Sequence, residues 1–129
     1  MIAVDTNVVV RLLVADDERQ FGVARELFAG GPVWIGETVL VETAWVLGRL
    51  YGMDAETILG ALERLTSLAN VKVGPGVEEA LRLAKAGVDL ADAMHLSSRP
   101  AGAEFATFDR AFARRARRAG AKGLRELAG

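Results

Sequence analysis

The chain has no cysteine and a single histidine among its 129 residues. The first absence removes disulfides, thiolate metal sites and cysteine nucleophiles together. Long uncharged runs are also missing. The longest, Leu27 to Gly36, is ten residues and holds three glycines and a proline, which excludes a transmembrane helix there. The opening residues, MIAVD, carry no basic leader and reach an acid at position five, so no secretory signal is expected and the expected location is cytoplasmic. There is no internal repeat, no linker and no low-complexity tract. What is present is a chain 51% hydrophobic and 26% charged, rich enough in apolar residues for a core and unlike a disordered segment. The length suits one domain, residues 1–129. A formal net charge of −1, taken by itself, argues against a nucleic-acid binder.

Apolar periodicity and turn residues divide the chain into alternating elements. Ile2 to Val4 reads as a strand, followed by the capping cluster Asp5-Thr6-Asn7 and a helix over Val8 to Val14. Thr6 is the expected cap of that helix. Asp16 and Asp17 can start a second helix reaching Phe28, with Phe21, Ala24, Leu27 and Phe28 at helical spacing. Gly30-Gly31-Pro32 stops it before a strand at Val33 to Ile35. Residues 38 to 51 are apolar nearly all round, the pattern of a buried helix. Asp54 opens a helix carrying Ile58, Leu59, Leu62 and Leu65, then Val71 to Val73 is a third strand. Helices follow from Pro75-Gly76 and from Leu90 to Ser98. Phe105 to Phe108 is a fourth strand, Asp109 caps a basic helix, and Gly123 to Leu127 adds a last strand. Strands alternating with helices imply parallel pairing and an α/β sandwich.

In such sheets functional groups gather beyond the carboxyl ends of strands, and Asp5 and Asp109 follow two of those ends. Each acid also has a plain structural reading. Asp5 can be a loop acid, Asp109 and Asp89 can be helix caps, and Asp92 suits the positive end of a helix. Glu42 falls between Trp45 and Val46 on the wheel of an apolar helix, so it needs a partner or a route to the surface. Arg49 lies two turns along the same face, too far for a local pair. If Asp5, Glu42, Asp92 and Asp109 converge, two carboxylates about 4 Å apart repel by roughly 4 kcal/mol at an effective dielectric of 20. Cations between them would keep them ionised, and an all-oxygen set suits Mg²⁺ or Mn²⁺ better than zinc. His95 lies one turn after Asp92 and is read as structural. Trp34, Trp45, Phe21, Phe28 and Tyr51 are read as core or interface aromatics.

These residues resemble a known family. Asp5-Thr6-Asn7 after the first strand is similar to the opening motif of PIN-domain proteins. Glu42-Thr43-Ala44-Trp45 resembles their helical acid motif, Asp89 to His95 the third motif, and Thr107-Phe108-Asp109 the fourth. All four stand in family order and span essentially the whole chain. The compact length resembles VapC-type toxins of toxin–antitoxin pairs. The resemblance implies a three-layer α/β/α sandwich around a mostly parallel sheet of four to five strands. It also implies a Mg²⁺- or Mn²⁺-dependent endoribonuclease that hydrolyses RNA by metal-activated water and leaves a 5′-phosphate. Asp5, Asp92 and Asp109 are then the implied metal ligands, and Glu42 completes the catalytic set directly or through water. Asn7, Thr107 and Asp89 are implied supports. The implied partners are an RNA substrate, a small antitoxin seated on the apolar surface of the early helices and of the helix after Asp54, and a second copy in a homodimer.

Two other readings compete. A haloacid-dehalogenase-like phosphatase also opens on an aspartate after its first strand, but it wants a second aspartate where this chain has Asn7. A PIN fold without catalysis, acting as a binding module, is the other. From Arg110 to Arg125 there are seven basic residues and no acid, either a solvated helix face or a phosphate-steering patch. Arg110, Arg114, Arg115 and Arg118 are the phosphate candidates. The net charge is therefore an average over unlike parts. Residues 1–109 carry 9 basic and 16 acidic side chains, net −7, whereas residues 110–129 carry 7 and 1, net +6.

Overall fold

The computed structural model describes residues 1–129, which separate into two compact units, residues 1–74 and 75–129. In the first unit the order is β1 (Ile2–Val4), α1 (Thr6–Leu13), α2 (Glu18–Ala29), β2 (Val33–Ile35), α3 (Glu37–Arg49), α4 (Ala55–Thr66) and β3 (Val71–Lys72). The strands pair in the order β1-β2-β3, all parallel, with Ile2 opposite Val33 and Val33 opposite Val71. Parallel neighbours require crossovers, and helices supply each of them. Val4, Val33, Ile35 and Val71 point into a core completed by Val9, Val10, Phe28, Leu40, Leu47, Ile58, Leu62 and Leu65. The Asn70 amide donates to the carbonyls of Phe28 and Gly31, which ties the turn before β2 to the start of β3.

A polar clasp closes the other end of this unit. Arg11 donates to Gln20 and to Asp16 at 2.6 and 3.2 Å, and Tyr51, just past α3, donates its hydroxyl to Asp16 at 2.9 Å. Tyr51 therefore serves as a polar anchor rather than a core aromatic.

The second unit comprises α5 (Val77–Lys85), α6 (Leu90–Ser97), β4 (Phe105–Thr107), α7 (Arg110–Arg118) and β5 (Leu124–Glu126). β4 and β5 are parallel and α7 is their crossover, so the end of the chain is a βαβ unit. Phe112, Ala113 and Ala116 form the buried face of α7, and Phe112 meets Phe105 edge-on at 5.8 Å. α5 and α6 pack together through Ala80, Leu83, Ala84, Ala93, Met94 and Leu96, all buried. Their approach is close: a Cβ on Gly76 would lie 2.3 Å from the Ser97 carbonyl oxygen, so only glycine fits there. Arg99 binds the carbonyls of Leu96, Ala103 and Lys122 and fixes the loop into β4.

The elements match the periodicity, with three corrections. The first helix begins at Thr6 rather than Val8, and Asp5, not Thr6, is its cap. A carboxylate one residue before the helix reaches the Val8 N–H, which frees the threonine hydroxyl for another partner. α3 is not buried all round, because only Leu40, Thr43 and Leu47 are enclosed. Trp45 is 61% exposed and Trp34 37%, so neither is a core aromatic in this chain. Uniform apolarity hid which stripe of α3 faces the core. The five strands are each two or three residues long and pair as a set of three and a set of two.

Candidate functional site

Three of the acids owe their positions to helix starts. Asp5 caps α1, accepting the Val8 N–H at 3.2 Å; Asp89 caps α6, accepting the Asp92 N–H at 3.2 Å; Asp109 caps α7, accepting the Phe112 N–H at 2.9 Å. The capping reading and the functional one are compatible. A carboxylate has two oxygens and the cap uses one, so the helix terminus fixes the side chain and leaves the second oxygen for a ligand.

In the first unit Glu42 is exposed on α3, not enclosed in a core. Glu42 has the route to the surface that an apolar helix would otherwise deny it, because it lies on the side opposite Leu40 and Leu47. Its partner is Thr6, whose hydroxyl donates a short hydrogen bond to Glu42 Oε1. Asp5 and Glu42 are thus linked through one residue of chain, Asp5 preceding the threonine that holds Glu42. Asn7 is exposed beside Asp5, and the two border a groove of about 330 Å³ between α1 and α2, walled by Val8, Val23, Ala24 and Leu27.

In the second unit Asp92 is half-buried in the first turn of α6. Burial pushes its carboxyl above the usual range, the charges of Asp89 and then Asp109 push the same way, and His95 opposes them. Asp89, Asp92 and Asp109 are therefore neighbours electrostatically. Thr107 supports Asp109 and no other acid: its hydroxyl accepts the Asp109 N–H at 2.9 Å. His95 is exposed.

None of Asp5, Glu42, Asp89, Asp92 and Asp109 forms an ion pair with lysine or arginine. Other acids do: Asp16 with Arg11, Glu79 with Arg82, Glu104 with Arg125 and Glu126 with Arg117. Nowhere do three or more Asp, Glu or His side chains close on one point at metal-holding spacing. The donor chemistry nonetheless fits a hard divalent cation, since every candidate ligand is a carboxylate and the most enclosed one is disfavoured as an anion by its surroundings.

The basic stretch divides on inspection. Arg117 and Arg125 are held by Glu126 and Glu104, whereas Arg110, Arg114, Arg115 and Arg118 are exposed on α7 without acidic partners. Two residues escaped the sequence reading. Thr6 looked like a cap and instead holds Glu42, a link across 36 residues that no local pattern displays. Trp45, read as a core or interface aromatic, stands exposed one helical turn from Glu42 and is not core.

A family model described as the PIN domain matches residues 2–118. No individual curated protein gives a significant match. No helix is long and apolar enough to cross a membrane.

Proposed function

The chain belongs to the PIN-domain family, a family of generally metal-dependent nucleases with an α/β fold, and from that premise we propose that it is a Mg²⁺- or Mn²⁺-dependent endoribonuclease. The proposal treats residues 1–129 as one domain and Asp5, Glu42, Asp92 and Asp109 as one catalytic set, with Asp5, Asp92 and Asp109 as ligands. The observation that carries it is Asp92: a half-buried carboxylate, pushed up by burial and by two further acids, with no cationic side chain paired to it. Such an arrangement is costly unless a cation joins it. When bound, a divalent ion supplies charge to the scissile phosphate and acidifies a water for in-line attack.

The chain's own residues supply the framework. The starts of α1, α6 and α7 orient Asp5, Asp89 and Asp109 by their caps. The Thr6 hydroxyl orients Glu42, and Thr107 fixes the backbone of Asp109. Arg110, Arg114, Arg115 and Arg118 form the exposed face of α7 that would attract the phosphate chain. The toxin role, an antitoxin seated on the α1–α2 groove, a homodimer and a cytoplasmic setting belong to the same reading. The antitoxin seat is supported by the apolar wall of that groove, and the toxin role, the homodimer and the setting only by the resemblance that the four ordered motifs carry. The phosphatase alternative still lacks its second aspartate, and the non-catalytic alternative has to explain five acids left without basic partners.

The test uses purified protein with a structured RNA in Mg²⁺ or Mn²⁺, against EDTA and against Asp5→Asn. Cleavage is expected only in the wild type with metal. Cleavage that persists in EDTA or in Asp5→Asn would sink the metal mechanism, and the absence of any cleavage would favour the binding module.

A further inference from the structure

On α3 two charges stand without a countercharge in their own chain. Glu42 and Arg49 are both exposed; no basic side chain pairs with Glu42, and Arg49 makes no ion pair or hydrogen bond. They stand two turns apart, so they share one face of the helix, roughly 10 Å from each other along its axis. That is too far for a pair within the helix. The midpoint between them falls between Trp45 and Val46. Trp45 is 61% exposed and Leu50, just past the helix, 70%, while Val41 and Val46 beside the indole are half-buried. The face opposite Leu40 and Leu47 is therefore an apolar strip with an acid toward one end and a base toward the other.

Such a strip is complementary to itself. When a second α3 lies antiparallel over the first, about a two-fold axis at that midpoint, each Glu42 is opposite the partner's Arg49. Trp45 and Val46 then meet their own counterparts at the axis, where an interface places its aromatic anchors. We propose that the exposed face of α3 is the contact between two copies of this chain, closed by a reciprocal Glu42–Arg49 pair. The Glu42 carboxylate disfavours a phosphate chain there, and an unrelated protein would need the same two charges at the same spacing in reversed order. A second copy carries them of necessity. The consequence for the site rests on the nuclease reading. Each Glu42 is held from two sides, by Thr6 of its own chain through Oε1 and by the partner's Arg49 through the other oxygen. The second copy thus supplies a positioning residue for a carboxylate of the proposed catalytic set.

The experiment measures association without RNA or metal, which separates it from the nuclease reading. Sedimentation equilibrium in EDTA should find the wild type dimeric at about 100 µM, with a Kd on the micromolar scale. Trp45→Ala should weaken the dimer about thirtyfold or more, the effect of truncating an anchor in each copy. Arg49→Glu and Glu42→Arg should each weaken it about a hundredfold or more, because both cross-pairs become like-charged. All three positions are exposed, and far-UV circular dichroism checks that each variant folds. An equimolar mixture of the two charge variants should dimerise again, since the acids of one chain then face the bases of the other. A monomeric wild type overturns the proposal, as does a dimer that either charge variant leaves intact, or a mixture that stays monomeric. So does a Trp45→Ala protein that dimerises normally but loses affinity for a single-stranded oligoadenylate, which would make RNA the occupant. In Mn²⁺, turnover per chain should rise with protein concentration as the dimer forms. Turnover constant through that range would overturn the role of the partner's Arg49 at Glu42. If the wild type cleaves no RNA but the charge variants still pair on mixing, the nuclease reading falls and the interface stands.

Discussion

The two units hold their acids by different physics. In residues 1–74, Glu42 stands in the open and is positioned by a hydrogen bond from Thr6, so its geometry is satisfied by the chain itself. In residues 75–129, Asp92 is half-buried with Asp89 and Asp109 nearby, and its ionised form is opposed by burial and by like charge. The first arrangement is at rest as it stands. The second stores an electrostatic cost that a bound cation would offset, which is why Asp92 rather than Glu42 carries the functional argument. Activity and stability should therefore respond differently to changes in the two units.

The largest expected effect does not separate them. Asp92→Asn and Glu42→Gln should each lower RNA cleavage by about 10²-fold or more, the scale of losing one group that acts on the developing charge. Steady-state turnover in Mn²⁺ measures it. A Glu42→Gln enzyme with near-normal turnover would remove Glu42 from the catalytic set and leave the acids of the second unit to act alone. Smaller is the effect of Thr6→Val, which keeps the shape of the side chain and removes the donor to Glu42. A fall of about tenfold in turnover is expected, as for other groups that orient a ligand or its neighbour. Thr6→Ser should restore most of it, because the hydroxyl returns.

Helix starts were legible because their chemistry is local. Asp17, Asp54, Asp89 and Asp109 each cap the helix that follows, as a side-chain oxygen one residue before an apolar-periodic run should. The parallel α/β class was equally legible from the alternation of elements. α3 was not, because an apolar helix does not announce which stripe meets the core, and a tryptophan in it reads as core or interface. Thr6 was misread for a related reason: two adjacent residues can cap the same helix, and the choice between them depends on Glu42, far along the chain. The four acids were named from their motifs, but the electrostatic standing of Asp92 follows from burial, which spacing does not contain.

Stability should separate the units where activity does not. In EDTA at neutral pH, Asp92→Asn should melt about 3 °C higher than the wild type, because it removes a charge that burial disfavours while keeping the side-chain volume. Glu42→Gln, exposed and still able to accept from Thr6, should melt within about 1 °C of the wild type. Saturating Mn²⁺ should raise the wild-type melting temperature, by linkage to the folded state, and do little for Asp92→Asn. A destabilised Asp92→Asn would show that the carboxylate is satisfied without a cation.

The smallest effect is also the most specific, and its sign is fixed by the direction of the shift. Asp92 has a folded-state pKa above its unfolded value, near 3.9 for an ordinary aspartate. The folded protein therefore takes up that proton first as the pH falls. Above the folded pKa both states are ionised and the full cost of the buried charge is present. As the pH drops through the folded pKa the native carboxyl is neutralised and the cost fades; below the unfolded pKa it is gone. The gap in melting temperature between Asp92→Asn and wild type in EDTA should thus be widest near pH 7 and shrink toward pH 4. Other carboxylates that pair in the native state, such as Glu79 beside Arg82, lose their contribution over the same acid range, but they do so equally in both proteins and cancel from the difference. A gap that stayed constant from pH 7 to pH 4 would mean that Asn stabilises through packing alone, and the contrast between a satisfied Glu42 and a frustrated Asp92 would no longer hold.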